Sequence, residues 1–82
     1  MVNREEVAEK VQHILTDQFQ IDPEKVIPPA RFGEDLNADS LDLVEATLQL
    51  EEEFGIEIPE NEMEAIKTVD QVIDLICRKL DA

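Results

Sequence analysis

The residues best suited to chemistry lie in the stretch Asp39-Ser40-Leu41-Asp42, where a single hydroxyl is flanked by acidic side chains. Ser40 stands at the start of a predicted helix, roughly Ser40 to Phe54, that carries apolar side chains on two faces. The first interpretation is therefore that Ser40 is a point of covalent attachment. The helix that it opens is then a docking surface.

Other roles for this serine follow from its residue type. Serine and aspartate are favoured helix caps, so Ser40 can also be read as a purely structural residue. A hydrolase nucleophile is disfavoured, because there is no Gly-x-Ser-x-Gly elbow and the only histidine lies on another helix. A calcium-binding loop is excluded. Asp35, Asn37 and Asp39 have EF-hand spacing, but Ser40 stands where the loop requires Gly, and Ala46 stands where it requires a bidentate Glu.

Length and composition narrow the class of protein. A chain of 82 residues with two Gly, four Pro and clear apolar periodicity predicts one small folded domain, residues 1–82. Three Phe and no Tyr or Trp predict an aliphatic, deformable core. A single cysteine, Cys77, excludes an intramolecular disulfide and fits a reducing compartment. No apolar run is long enough for a membrane span and the N-terminus has no signal-peptide core, so we expect a cytoplasmic protein. We also expect it to be a monomer.

The charge of the chain indicates which partners it can bind. Seven Lys and Arg against 21 Asp and Glu give a formal net charge of −14. Binding to nucleic acid or to an anionic lipid surface needs the opposite sign, which leaves basic protein surfaces. Twelve acids and no Lys or Arg lie between Phe32 and Ile66. Because these acids repel one another, we expect basic partners to offset the cost, and salt or divalent cations to stabilise the fold.

The first half of the chain predicts one helix and a long connection. Asn3 and Glu6 form a helix-capping pair, and the apolar rhythm predicts a helix from about Asn3 to Asp17 or a little beyond. His13 falls off the apolar stripe and is expected to be exposed. The connection, about Gln20 to Ala38, contains three prolines, with one helical turn near Pro23 to Val26 capped by Asp22. Five of its apolar residues are expected to enter the core: Ile21, Val26, Ile27, Phe32 and Leu36.

The second half predicts three helices. The helix from Ser40 ends at Phe54, with Gly55 as its left-handed cap, and Ile56 to Pro59 form an extended link. Asn61 to Ile66 form a short helix with Met63 and Ile66 facing inward. Thr68 and Gln71 form a capping box for a last helix through Leu80, with Cys77 buried or half-buried on its apolar stripe. The fold class is all-α, a four-helix bundle of three longer helices and one short helix, with a long first connection.

The helix that starts at Ser40 has two apolar faces when it is drawn at 3.6 residues per turn. The core face consists of Leu43, Ala46, Thr47, Leu50 and Phe54. The second set, Leu41, Val44 and Leu48, is called here the outer ridge, and three glutamates flank it: Glu45, Glu51 and Glu52. Either the short helix or the long loop buries the outer ridge, or it stays at least partly exposed. Exposure is preferred, since a small bundle has little left to cover it.

These residues resemble a known family. Leu36-Asn37-Ala38-Asp39-Ser40-Leu41-Asp42, then Val44-Glu45, Leu50-Glu51-Glu52-Glu53-Phe54 and Glu57-Ile58-Pro59, are similar to the acyl carrier proteins. The resemblance runs from the first helix through Thr68-Val69. One departure is Asn37, where the family commonly has Gly. Asn tolerates a left-handed backbone better than other residues with a side chain, so the turn should survive.

The resemblance implies that Ser40, within the motif Asp39-Ser40-Leu41, receives a 4′-phosphopantetheine arm from coenzyme A by the action of a separate transferase. The thiol of the arm then carries fatty acyl chains as thioesters between enzymes, and the chain itself is not an enzyme. In this family the helix after the serine is the recognition helix. The expected partner surface is therefore Leu41, Asp42, Val44, Glu45, Leu48, Glu51 and Glu52, facing basic surfaces of the transferase and of fatty acid synthesis enzymes.

Three functions compete at this point. A stand-alone carrier for fatty acid synthesis is preferred, because the chain begins at Met1 and has the length of one domain. A carrier for a polyketide or another specialised acyl pathway is the nearest alternative. An unmodified acidic interaction module is the third. The acyl chain is expected to enter beneath the Ser40 helix, toward Leu50, Phe54, Ile66 and Ile76, because its burial gains about 0.8 kcal/mol per CH₂ group.

Overall fold

Capping residues and apolar periodicity divide the chain into helices at the predicted places. The computed structural model describes residues 3–81, so Met1, Val2 and Ala82 lie outside the described residues. The helices are α1 (Arg4–Phe19), α2 (Ser40–Phe54), α3 (Glu60–Ala65) and α4 (Val69–Asp81), with one 3₁₀ turn at Pro23–Lys25. Within residues 3–81 there is no strand, only an isolated bridge between Arg31 and Thr68. The predicted all-α fold with four helices is confirmed.

The first helix begins at its predicted cap and ends at Phe19, in agreement with the prediction. The Asn3 side chain accepts hydrogen bonds from the backbone N–H groups of Glu5 and Glu6, at 2.9 and 3.3 Å. Within residues 3–81 the Glu6 side chain returns no bond, so the cap is one-sided. Gln20 adopts a left-handed conformation, with φ of 53°, and its N–H donates to the Thr16 carbonyl. This left-handed residue ends α1.

The long connection packs most of its apolar residues, with one exception. Val26, Phe32 and Leu36 are buried, and Ile21 is half-buried. Ile27 was expected in the core, and that prediction is wrong, since 47% of its surface is exposed. The reason is a tight turn: the Ala30 N–H donates to the Ile27 carbonyl at 2.9 Å across the two prolines. Val26 and Phe32, on either side of this turn, are buried instead.

The 3₁₀ turn in the long connection also differs from the prediction in one detail. The 3₁₀ turn lies at the predicted place, with Pro23 at its first position. Asp22 precedes it, but its side chain makes no capping hydrogen bond, contrary to the prediction. A turn of three residues has few free N–H groups, so it offers little to cap.

Backbone hydrogen bonds fix the loop before Ser40 against the start of α4. The Phe32 N–H donates to the Lys67 carbonyl at 3.1 Å, and the Val69 N–H donates to the Ala30 carbonyl at 3.0 Å. These bonds flank the Arg31–Thr68 bridge. The loop that leads into the helix of Ser40 is therefore anchored to the start of α4 through residues 30–32.

The last two helices follow their predicted signals. The Gln71 N–H donates to the Thr68 hydroxyl at 3.2 Å, and the Thr68 N–H donates to the Gln71 side chain at 3.2 Å. The predicted capping box is thus present. Helix α3 starts one residue earlier than predicted, with Ile66 buried just after it and Met63 packed against the core.

The core is aliphatic, as the composition predicts. Val11, Leu15, Leu50 and Ile76 are its most completely buried large side chains. The predicted core face of α2 is confirmed, with Ala46, Thr47 and Leu50 buried and Leu43 and Phe54 packed against them. His13 is exposed and Cys77 is half-buried, as predicted.

An arginine forms ion pairs between the first and the last helix. Arg4, in the first turn of α1, pairs with Asp70 and Asp74 on α4. The hydrogen bond to Asp74 is the main cause that raises the pKa of Arg4 above its ordinary value. All three side chains are about half exposed, so the contact aligns α1 with α4 more than it stabilises them.

Candidate functional site

Ser40 is the first residue of α2, and its hydroxyl is left free by the way the helix is capped. Asp39 is the N-cap: its carboxylate accepts a hydrogen bond from the Asp42 N–H at 2.9 Å. The Asp39 N–H donates to the Asp42 carboxylate at 3.4 Å, which completes a capping box. Ser40 is exposed, and within residues 3–81 its side chain makes no hydrogen bond. The capping role considered for Ser40 therefore belongs to its neighbours.

The loop that delivers Ser40 is shaped by a left-handed residue. Asn37 has a φ of 55°, the region in which Asn is tolerated better than other residues with a side chain. The Ala38 N–H then donates to the Phe32 carbonyl at 2.9 Å. Earlier in the same loop, the Arg31 N–H donates to the Asp35 carboxylate at 2.8 Å. The turn expected at Asn37 is present, although no glycine occupies it.

A cleft of about 490 Å³ adjoins Ser40. It is called here the Ser40 cleft. Its large apolar lining residues are Phe32, Leu43 and Ile66, two of which are buried in the core. Its charged lining residues are Arg31, Glu34, Asp39 and Lys67. A group attached to the Ser40 oxygen therefore has an apolar wall and charged side chains of both signs beside it.

The outer ridge of α2 is exposed, as predicted. The exposed fractions are 65% for Leu41, 58% for Leu48 and 37% for Val44. Neither α3 nor the long loop covers these residues, so the alternative of burial is excluded. On the opposite face of the same helix, Leu50 is only 2% exposed.

The acids predicted to flank this ridge have different local environments. Glu45 accepts a hydrogen bond from the Gln18 amide on α1 at 2.8 Å, and Glu52 is exposed. Glu51 is half-buried and accepts a hydrogen bond from the Ile58 N–H at 3.0 Å, which ties α2 to the link before α3. Asp42 is held in the capping box. Within residues 3–81, Glu52 is thus presented outward without such a contact, while Glu45 and Glu51 also have contacts within the fold.

Sequence reasoning missed three features of this site. Ser40 is the only serine in the chain, which a simple count would have found. The Gln18 contact with Glu45 joins residues 27 apart, and no local pattern predicts such a pair. Lys67 lies just outside the acidic stretch and has no predicted role, yet it lines the Ser40 cleft.

Comparison with known proteins identifies the family. A family profile described as "Phosphopantetheine attachment site" matches residues 9–76. The acyl carrier protein of Thermosynechococcus vestitus is 57% identical over 81 residues, covering 99% of this chain and all of the relative. The acyl carrier protein of Rubrobacter xylanophilus is 49% identical over 75 residues, covering 92% and 93%. The chain belongs to the acyl carrier protein family.

A solved structure supports the same family assignment. The acyl carrier protein from Enterococcus faecalis superposes with a TM-score of 0.79 at 40% identity, covering 95% of this chain and 99% of that one. The predicted family, fold class and carrier function are therefore confirmed. The chain is an acyl carrier, not an enzyme, and takes a covalently attached 4′-phosphopantetheine. Within residues 3–81, no helix is long and apolar enough to cross a membrane.

The residues around Ser40 fit this cofactor. A phosphopantetheine arm needs a hydroxyl that solvent and a transferase can reach, and Ser40 is exposed and unbonded. It also needs space beside that hydroxyl, which the Ser40 cleft supplies. As an acyl carrier the chain has acyl cargo and partner enzymes.

Proposed function

We propose that Ser40 is the residue that receives the 4′-phosphopantetheine arm, and that the chain carries growing fatty acyl chains for fatty acid synthesis. The observation that carries this proposal is the Ser40 hydroxyl, exposed, unbonded and the only serine oxygen in the chain. In this proposal residues 1–82 act as a single acyl-carrier domain, monomeric and cytoplasmic. The family resemblance and the single cysteine support that context.

Ser40 and the two neighbouring aspartates have different roles at the attachment point. Asp39 and Asp42 fix the first turn of α2, so the Ser40 oxygen stays at the surface while the arm is added. That oxygen attacks the diphosphate of coenzyme A within the transferase, and adenosine 3′,5′-bisphosphate leaves. The attached arm supplies the thiol that carries the acyl group as a thioester. The chain needs no general base of its own, because the transferase supplies it.

The outer ridge is the proposed partner surface. Leu41, Val44 and Leu48 form an exposed apolar strip, and Asp42, Glu45 and Glu52 border it with negative charge. An apolar strip with an acidic border fits a partner that has an apolar groove and a basic rim. Opposite charges speed the encounter and guide the approach, so transferase and fatty acid synthesis enzymes can bind one after another. Glu51 contributes charge at this edge, but its contact with Ile58 also serves the fold.

The Ser40 cleft is the proposed entrance for the acyl chain. Ile66 lines the Ser40 cleft and also a second cleft of about 330 Å³ between α3 and α4. In this proposal a shift of the Ile66 side chain joins the two spaces. Leu50 and Ile76 line neither cleft, so a route toward them also needs the core to open. The aliphatic core favours such a shift, and each buried CH₂ group of the cargo gains about 0.8 kcal/mol. A carried acyl chain with fully solvent-exposed methylenes, and core NMR shifts unchanged from the unloaded protein, would contradict this route.

Intact-mass spectrometry tests the attachment. Incubation with coenzyme A and a transferase of broad specificity should add the mass of one arm to the wild-type chain. Ser40→Ala should remain at its starting mass, while its helical circular dichroism and melting curve match those of the wild type. A folded wild-type chain that gains no mass would leave the third reading, an unmodified acidic interaction module.

A reconstituted pathway tests the cargo. With the loaded chain as the only carrier, purified fatty acid synthesis enzymes should extend an acyl group to long saturated products, detected as thioesters on the intact protein. A carrier for a polyketide or another specialised pathway would be charged with its starter group but elongated poorly by these enzymes. That result would move the assignment to the alternative pathway without changing the role of Ser40.

A further inference from the structure

The two basic residues that border the acidic stretch in sequence are brought together beside Ser40. Arg31 precedes and Lys67 follows a segment of twelve acids that contains no Lys or Arg. Their segments are joined by the Arg31–Thr68 bridge and by the bond from the Phe32 N–H to the Lys67 carbonyl, 3.1 Å long. Both residues line the Ser40 cleft. The fold thus concentrates positive charge at one point on a strongly acidic face.

Only one of these two cations is available to a ligand. The Arg31 guanidinium pairs with the Glu34 carboxylate at 2.7 Å and lies 3.6 Å from the Asp35 carboxylate. Lys67 is exposed and has no ion pair within residues 3–81. Of the acids that line the cleft, Glu34 is paired with Arg31, and Asp39 accepts the Asp42 N–H. Lys67 is therefore the uncompensated cation of the Ser40 cleft.

We infer that Lys67 is a positioning residue that binds the phosphate of the group attached to Ser40. This inference rests on the proposed attachment at Ser40. The phosphodiester carries a negative charge, and the nearest charged residues in sequence are Asp39 and Asp42, which repel it. A lysine ammonium on a flexible stem is well suited to pair with such an anion as a point charge. No other unpaired cation lines this cleft in the described part of the chain.

The consequence concerns the direction of the arm. The residues lining the Ser40 cleft include Leu43 and Ile66 but no member of the outer ridge. Pairing with Lys67 therefore draws the first atoms of the arm toward the cleft and its apolar wall. The exposed ridge of α2 stays uncovered for partners. Loss of the lysine charge should let the arm spread over the helix N-terminus.

NMR spectroscopy of the unloaded and loaded chain tests the inference. Attachment should shift the side-chain ammonium signal of Lys67, and Lys67→Gln should shift the ³¹P signal of the loaded protein. Lys67→Arg, which keeps the charge, should restore the ³¹P signal toward the wild-type position. The matched control is Lys25→Gln, which removes an exposed lysine that lines a different cleft. It should leave the ³¹P signal unchanged.

Urea unfolding provides the energetic readout. In a cycle of wild type and Lys67→Gln, each with and without the arm, attachment should lower the unfolding equilibrium constant of the wild type by about 2- to 5-fold relative to the variant. The coupling should fade near 1 M salt, where the screening length is about 3 Å. The cycle with Lys25→Gln should give no coupling.

Three outcomes are distinguishable. Shifts and coupling that depend on the charge at residue 67 support the inference. A loaded chain whose Lys67 and ³¹P signals are insensitive to each other overturns it and leaves the attachment at Ser40 intact. A folded chain that accepts no arm at Ser40 overturns both this inference and the proposed function.

Discussion

The inner and outer faces of α2 present similar leucines to very different surroundings. Leu50 is 2% exposed and lies in a closed aliphatic core, whereas Leu48, two residues earlier, is 58% exposed. The acids of the helix divide in the same way. Glu51 is half-buried and caps the Ile58 N–H, while its neighbour Glu52 is exposed. One face of α2 thus stabilises the fold, whereas its opposite face contributes little to stability.

This contrast shows where function can be read from sequence. Apolar residues are expected to be buried, so an apolar strip that a small bundle leaves exposed indicates a surface that binds something else. The same logic applies to charge. On α4, Asp70 and Asp74 pair with Arg4, and four acids of residues 32–66 pair with cations from outside that segment. In the described part of the chain, Asp42, Glu45 and Glu52 on α2 have no such pair. Both features meet on α2, directly after Ser40.

The strongest test of the contrast uses the two leucines. Leu50→Ala should lower the free energy of unfolding by about 2–5 kcal/mol, because it leaves a cavity in the closed core. Leu48→Ala should change it by less than about 0.5 kcal/mol, as expected for an exposed position. Urea unfolding followed by circular dichroism measures both. Equal losses for the two variants would mean that the outer face also serves stability.

The neighbouring glutamates sharpen the contrast at the level of single hydrogen bonds. Glu51→Ala should lower the free energy of unfolding by about 1–2 kcal/mol, since the Ile58 N–H loses a charged acceptor in a partly buried place. Glu52→Ala should be close to neutral. Thermal melts of the two variants at the same pH and salt provide the comparison. If Glu52→Ala proves the more damaging, the division of the helix face is wrong.

Partner binding should show the opposite order of sensitivity. Glu45→Lys reverses a charge beside the outer ridge and should weaken association with a basic partner, such as the transferase, by about 2- to 5-fold at low salt. Glu57→Lys, the matched control, makes the same change at an exposed position outside the ridge. Surface plasmon resonance at two salt concentrations measures both. Equal weakening by the two variants would indicate a general charge effect instead of a defined surface.

Added salt should raise stability slightly. The acids of residues 32–66 repel one another, so screening should raise the melting temperature by a few degrees, and Mg²⁺ should act at lower concentration than K⁺. Glu57→Lys should reduce the rise, because it places a cation in that segment. A melting temperature that stays flat across added KCl and MgCl₂ would contradict the assigned repulsion.

Much of this structure could be predicted from local patterns, because helix ends depend on neighbouring residues. The caps at Asn3, Gly55 and Thr68 each lie where sequence predicts them. The exposure of the outer ridge could be predicted because the helix has two apolar faces. The small bundle has few other elements that could cover the second face. Ile27 was mispredicted because hydrophobicity does not reveal that a turn across two prolines points a side chain outward.

Contacts between distant segments could not be predicted in this way. The position of Lys67 in the Ser40 cleft depends on the pairing of Arg31 with Thr68, residues 37 apart with no strand pattern around them. The direction of Glu51 depends on where the Ile58 N–H falls after Gly55. Sequence therefore indicates Ser40 and its helix, but the surroundings of the serine come only from the fold.

The most direct test of the attachment site is peptide mapping of the loaded wild-type chain. Cleavage after glutamate releases residues 35–45, a fragment that contains Ser40 and none of the three threonines. Fragmentation of this peptide should place one phosphopantetheine on Ser40. An arm found on a threonine, on Cys77 or on any other fragment would contradict the account.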